Sequence, residues 1–100
     1  MNTLSSLLKF IGNRLKDIQY GRAGLGTITA NSYKDTEVTF DREFLNAPLV
    51  FVDFNYTGTA PSFGSFQVCA INITTTGFTI RAFNNTNTDR SPSSRWVAIG

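Results

Sequence analysis

The segment "NNTNTDR" carries Asn84, Asn85, Asn87, Asp89 and Arg90 in one short polar stretch. Planar amides offer donors and acceptors on one group, and a carboxylate and a guanidinium offer forked acceptors and donors. Set beside an aromatic face, these groups suit a hydroxyl-rich ligand such as a sugar. Asn31 and Tyr33 repeat the pairing of amide and phenol early in the chain, and Asn55 and Tyr56 repeat it again. Loops concentrate binding residues, but solvated loop residues have the same composition. The candidate ligand contacts are therefore Asn31, Tyr33, Asn84, Asn85, Asn87, Asp89 and Arg90. Arg81 and Arg95 flank the long loop on strands and read as outward residues or as ion-pair partners between subunits.

Other chemistry is hard to build here. The chain has no histidine, which removes Ser-His-Asp and Cys-His arrangements. Its one cysteine, Cys69, lies between Val68 and Ala70 and reads as a buried, inert thiol. It also rules out an internal disulfide. Metal ligands would have to be carboxylates: Asp41 and Glu43 stand two apart in a loop, a spacing that suits calcium or plain solvent. No spacing of acids nominates a glycosidase pair. The expectation is a non-enzymatic chain without metal or cofactor.

Charge points the same way. The 100 residues carry a net charge of +2. Lys9, Arg14, Lys16 and Arg22 outweigh Asp17 in the first 22 residues, leaving the rest nearly neutral. A neutral body lacks the basic stripe that nucleic acid requires. No apolar run approaches the ~18 residues of a membrane span. Lys9 interrupts the N-terminal apolar segment, so no signal peptide is expected, and the protein is expected to be made in the cytoplasm.

Two kinds of element must position the polar residues. Leu4, Leu8, Ile11, Leu15 and Ile18 step by four and three, which predicts a helix over 3–20. "GRAGLG" then reads as a hinge, dividing an arm (1–23) from a body (24–100). In the body the period becomes two. "GLGTITA", "DTEVTF", "LVFVDFNY", "SFQVCAINI", "FTIRAF" and "RWVAIG" read as short strands separated by turns, a six-stranded antiparallel sandwich. Val38 and Phe40 share a face, as do Phe78, Ile80 and Ala82. "LVFVDFNY" and "SFQVCAINI" are apolar on both faces, and the former reads as a central strand or one facing a partner subunit. Gly77 reads as a positive-φ turn residue.

The stripe on the arm has three readings. In a parallel coiled coil, Leu8 and Leu15 fall at a, and Ile11 and Ile18 at d, a choice that favours more than two strands. A basic amphipathic helix on a membrane surface is the second. The third is a helix folded back on its own sandwich.

The order of "VTF", Phe44 and Pro48, then "TTTGF", then "RWVAIG" resembles the H-type lectin domain. It is similar also to C-terminal modules of phage tail fibres and other virion adhesins. The resemblance implies an all-β fold, a six-stranded antiparallel β-sandwich preceded by a short N-terminal α-helix that serves as a trimeric stalk. It implies a homotrimer located in the virion, with a host-cell surface glycan as ligand and another virion protein as a partner for the helix. The family's sugar site uses an acid in the first loop, an arginine on a central strand and an aromatic-histidine pair after the Thr-Gly-Phe strand. Asp35 corresponds to the acid, the arginine position falls near Cys69, and Asn84 and Asn85 replace the pair. N-acetylgalactosamine specificity is therefore not carried over. A structural virion protein without a sugar ligand is the alternative.

Overall fold

The alternation of buried and exposed residues along "SSRWVAI" and "GFTIRAFN" builds two central strands, around which everything else is arranged. The structure, a computed structural model, describes residues 17–55 and 65–100. Six strands follow in order: β1 (Ile18–Gly24), β2 (Ser32–Thr39), β3 (Leu49–Asn55), β4 (Phe66–Ile71), β5 (Gly77–Asn84) and β6 (Ser93–Ile99). They form two three-stranded antiparallel sheets, β1-β6-β3 and β2-β5-β4. The last five strands lie where the sequence pattern expects strands. β3 is an edge strand, not the central one that is one of its two readings; β4 is the edge of the other sheet, and β5 and β6 hold the centres.

The inner faces make the core. Phe78, Ile80 and Ala82 of β5 face Ala98 of β6, and Leu25, Ile28, Phe40 and Phe44 close the ends. Phe40 packs edge-on to Phe44 at 4.9 Å between centroids, and Phe78 meets Trp96 at 5.6 Å. Each large side chain buried here contributes roughly 1.5–3 kcal/mol.

The start of the fold differs from the helix and hinge expected. Ile18 is a strand residue, paired with Ile99, and not the end of a helical stripe. Leu4, Leu8, Ile11 and Leu15 lie outside the described residues, as does Tyr56. No helix occurs among the described residues. The segment read as a hinge supplies most of β1, in register with β6 from Ile18–Ile99 to Gly24–Ser93. Gly21 sits opposite Trp96, and a Cβ there would come within 3.0 Å of the indole. Its glycine makes room for the tryptophan; it is not a joint. Gln19, also facing inward, donates to the Arg42 carbonyl (2.9 Å) and accepts from the Asp41 amide (3.1 Å). The expected strand at 24–30 does not form. Residues 25–31 cross between the sheets, held by the Ile28–Arg90 bridge.

One end of the sandwich is closed by the Asn84 side chain, which is wholly buried. Its Nδ2 donates to the Ile28 carbonyl (3.0 Å) and the Thr88 carbonyl (2.9 Å). Its Oδ1 accepts from the Thr86 amide (3.1 Å) and hydroxyl (2.6 Å). That fills the capacity of a carboxamide, two donors and an oxygen with two lone pairs. The loop after β5 is thus tied to the crossing segment, with Leu25 N to Pro92 O and Asn31 N to Thr86 O as further ties.

At the other end, positive φ falls at Asn72 (52°), not at Gly77. Gly77 is needed for a different reason: a Cβ on it would run into the Val38 carbonyl of β2. Gly77→Ala should therefore destabilise the fold by about 1–3 kcal/mol through overpacking against backbone, read as a lower midpoint in urea. Asn84→Ala strands the Thr86 amide, at roughly 1–3 kcal/mol for a buried unpaired group, takes one of two donors from each of the Ile28 and Thr88 carbonyls, and empties a wholly buried site. Thermal unfolding should show it as the more damaging substitution of the two.

Candidate functional site

The outer face of the β2-β5-β4 sheet follows from register alone. Tyr33 pairs with Phe83 and Phe83 with Gln67; one row along, Asp35 pairs with Arg81 and Arg81 with Cys69. Paired residues in an antiparallel sheet point the same way, so these six side chains share one surface. The inward neighbours Ile80, Ala82 and Asn84 are buried, which fixes the outward direction of Arg81 and Phe83.

On this surface lies an open hollow of about 380 Å³, lined by Tyr33, Gln67, Val68, Cys69, Arg81 and Phe83. Arg81 organises it. Its Nε donates to Asp35 Oδ1 and a terminal nitrogen donates to Oδ2, both at 2.8 Å. The guanidinium also lies over the Tyr33 ring, 4.7 Å from its centroid. The forked pair and the stacking fix the plane of the guanidinium together. The hydrogen bond from Arg81 holds the Asp35 carboxyl below its ordinary 3.8, and that from Asp35 raises Arg81 further above its usual range. Both groups are charged at any ordinary pH. The hollow therefore offers aromatic surface from Phe83 and Tyr33, an amide from Gln67, and a fixed pair of opposite charges.

The expected contacts distribute unevenly around it. Tyr33 lines the hollow and is exposed. Asn84 is buried beneath the adjoining loop with its amide fully engaged, so its polar groups face the fold. Asn31 takes positive φ (56°), a conformation that asparagine tolerates, and turns the chain into β2. Asp89 accepts from the Ala30 amide (3.0 Å). The Arg90 backbone pairs with Ile28, and the Asn85 amide donates to the Ser65 carbonyl (2.8 Å). Asn87 is exposed on the same loop. These residues gather at the loop end of the sheet, one step beyond Tyr33 and Phe83.

Cys69 corrects an expectation: it is exposed in the hollow, not buried. β4 is an edge strand whose outward residues are Gln67, Cys69 and Ile71, so its second apolar face floors a concavity. The arginine that the resemblance implies near Cys69 is not found on β4, and Arg81 stands directly opposite Cys69 on the next strand. Arg81 and Phe83 were legible as outward residues of "FTIRAF", but nothing in the sequence shows that Asp35 stands across from Arg81. Glu43 is tied to Thr75 (3.0 Å). Among the described residues no group of three metal-type ligands converges. A second, more polar hollow of about 320 Å³ lies between Glu37, Thr39, Asn72 and Thr76 at the far end of the same sheet.

Comparison with known proteins follows the same lines. In three dimensions the chain is similar to an N-truncated R1-type pyocin tail fibre, with a TM-score of 0.73 and 20% identity, covering 100% of this chain and 98% of that one. It is similar to a C-terminal portion of the P. aeruginosa R1 pyocin fibre (TM-score 0.68, 24% identity), covering 83% of this chain but 22% of that chain. It is similar also to the tailspike protein gp49 from Pseudomonas phage LKA1 (TM-score 0.68, 23% identity), over 84% of this chain and 15% of the tailspike. At such identities the likeness is one of fold. No curated protein matches the chain. Residues 35–99, from the acid that Arg81 grips to the last residue of β6, match the H-type lectin domain, and the chain belongs to that family.

Proposed function

We propose that the chain is a non-enzymatic receptor-binding module of a phage or phage-like tail fibre, homotrimeric and located in the virion. It binds a host-surface glycan in the hollow formed by Tyr33, Gln67, Cys69, Arg81 and Phe83. Family membership and the fold shared with two tail fibres and a tailspike support the setting. One observation carries the ligand: the Asp35–Arg81 fork fixed over the Tyr33 ring in an open concavity. A sugar ring has an apolar face of C–H groups and an edge of hydroxyls. Phe83 and the free part of Tyr33 take the first, and Arg81, Asp35 and Gln67 take the second. Asn85, Asn87 and Arg90, on the loop that follows β5, contact further sugar units. Each contact of this kind is weak, and three copies on one particle multiply it by avidity of ~10²–10⁴. Residues 1–16 attach the module, through the apolar stripe, to copies of itself or to another virion protein.

A second reading has its own support. Asn84 and Asp89 make bonds within the fold, so part of the polar loop serves stability. A structural virion component would use the loop in that way and bind no sugar.

Glycan-array and host-cell binding separate the two readings. The lectin reading expects a saturable signal that Arg81→Ala and Tyr33→Ala each lower at least tenfold while the fold is retained. Silence on arrays and cells alike removes it and leaves the structural reading. The pH dependence is a further check. Because the Asp35 pKa is depressed in the fold, the ion pair is present above 3.8 and is lost only as the pH falls through the lower folded value. Glycan binding should be flat from pH 7 to about 5 and fail only in stronger acid; a loss near pH 6 would show that another group controls the site.

A further inference from the structure

The outer face of the β2-β5-β4 sheet does not end at the first hollow. The row Glu37–Thr79–Ile71 adjoins Asp35–Arg81–Cys69, and Thr39 pairs with Gly77 one row further on. Alternation puts Glu37, Thr39 and Thr79 on the same side as Tyr33, Arg81 and Phe83. Here lies the second hollow, of about 320 Å³, whose polar lining includes Glu37, Thr39, Asn72 and Thr79.

The rim of this hollow is fixed, and the groups inside it are free. The Thr74 hydroxyl accepts from the amides of Thr76 (3.3 Å) and Gly77 (3.2 Å) and donates to the Gly77 carbonyl (3.1 Å). The Thr75 hydroxyl donates to Glu43 (3.0 Å). These bonds set the turn between β4 and β5. By contrast the Glu37 carboxylate, the Thr39 and Thr79 hydroxyls and the Asn72 carboxamide have no partner among the described residues. They offer acceptors and donors to a ligand rich in hydroxyl groups.

Charge narrows the ligand. Arg81 and Asp35 are engaged with each other, so Glu37 leaves the face negative. Glu43 adds a second carboxylate beside the turn, while Arg42 is paired with Asp17 (2.6 Å). Lys34 lies on the inward side of β2, with its Nζ beside Gly26. A negative hollow attracts an ammonium group and repels carboxylate or phosphate. It is poor in ligands for calcium, which takes six to eight oxygens, and among the described residues no three metal-type side chains converge.

We propose that this hollow is a second sugar subsite. One extended, amine-bearing glycan lies along the sheet from Phe83 to Thr39, with an ammonium on Glu37. The inference rests on the glycan reading of the first hollow and adds to it the length and the charge of the ligand. Tyr33 and Thr39 stand six residues apart on one unbroken strand. At ~3.3 Å per residue that is about 20 Å, the reach of several linked sugar rings. A single molecule held at both ends gains through effective concentration what neither hollow supplies alone.

The test reads amide chemical shifts of the full chain by NMR. The probes are a glucosamine hexamer (a chitosan fragment with protonated amines), the corresponding dimer, and the fully N-acetylated hexamer. The glucosamine hexamer should move the amides of Asn72 and Thr79 together with those of Tyr33 and Phe83. Both groups should report one Kd, about tenfold below that of the dimer. Glu37→Gln, an exposed position, should lose that gain and the shifts at Asn72 and Thr79 while those at Tyr33 and Phe83 persist. The N-acetylated hexamer should behave with the wild type as the amine-bearing one does with the variant. Shifts confined to the Tyr33 end overturn the second subsite and leave the first hollow standing. Shifts at both ends with separate constants overturn the spanning ligand, as do shifts confined to the far end. A hexamer that moves neither group, or keeps its gain in Glu37→Gln, overturns the inference outright, and the glycan array decides the first hollow independently.

Discussion

A single buried carboxamide holds the working end of this molecule together. Asn84 ends the central strand of one sheet, yet its side chain is bonded to the segment leading from β1 to β2 and to the loop leading from β5 to β6. Both loops link one sheet to the other, so the amide fixes how the sheets meet. Thr86 and Thr88 bend back around it, and Asn31 N follows to Thr86 O. Where β2 begins is therefore set by β5. That determines the pairing of Tyr33 with Phe83 and, one row on, of Asp35 with Arg81. A loop rich in asparagine thus divides its labour by position: Asn84 turns inward and builds the site, and Asn87 remains at the surface.

Burial of a polar side chain also explains why the first strand was hidden from the sequence. A half-buried strand announces itself by apolar residues at every second position, but the inward positions of β1 are Gln19, Gly21 and Ala23. They are small or polar because the opposite strand supplies Trp96, whose ring fills the space that side chains of β1 would take. Gln19 is satisfied by the backbone at 41–42, a contact between distant residues that no local pattern encodes. Ile18 meanwhile continued a spacing of four and three from Leu15, so helical periodicity claimed a residue that tertiary pairing places in a sheet. From β2 onward the strands alternate in the ordinary way, and there the sequence was legible to within a few residues.

The site was legible in kind more than in place. The outward direction of Arg81 and Phe83 follows from alternation, whereas Tyr33 reads as a loop residue and is placed on β2 by its pairing with Phe83. Their convergence with Asp35, Gln67 and Cys69 follows from strand order and register, and these depend on the long-range ties just described. Cys69 shows the limit clearly. Between Val68 and Ala70 it has the neighbours of a core residue, and only the placement of β4 at the sheet edge puts it in an open hollow.

Period-two alternation gives every strand two faces, and the sandwich uses only one of them for its core. The remaining faces must each meet something, and here they differ in chemistry. On β2-β5-β4 the outward residues are charged and aromatic, interlocked as Asp35, Arg81 and Tyr33, and concave enough to admit a small ligand. On β1-β6-β3 they are Ile18, Tyr20, Leu49 and Phe51, exposed side by side. A core of this size leaves a narrow margin of stability, since a domain of about 80 residues buries only some 60% of its unfolded surface. The apolar outward residues of "LVFVDFNY", Leu49 and Phe51, lie at the surface of an edge strand and add nothing to the core of the sandwich.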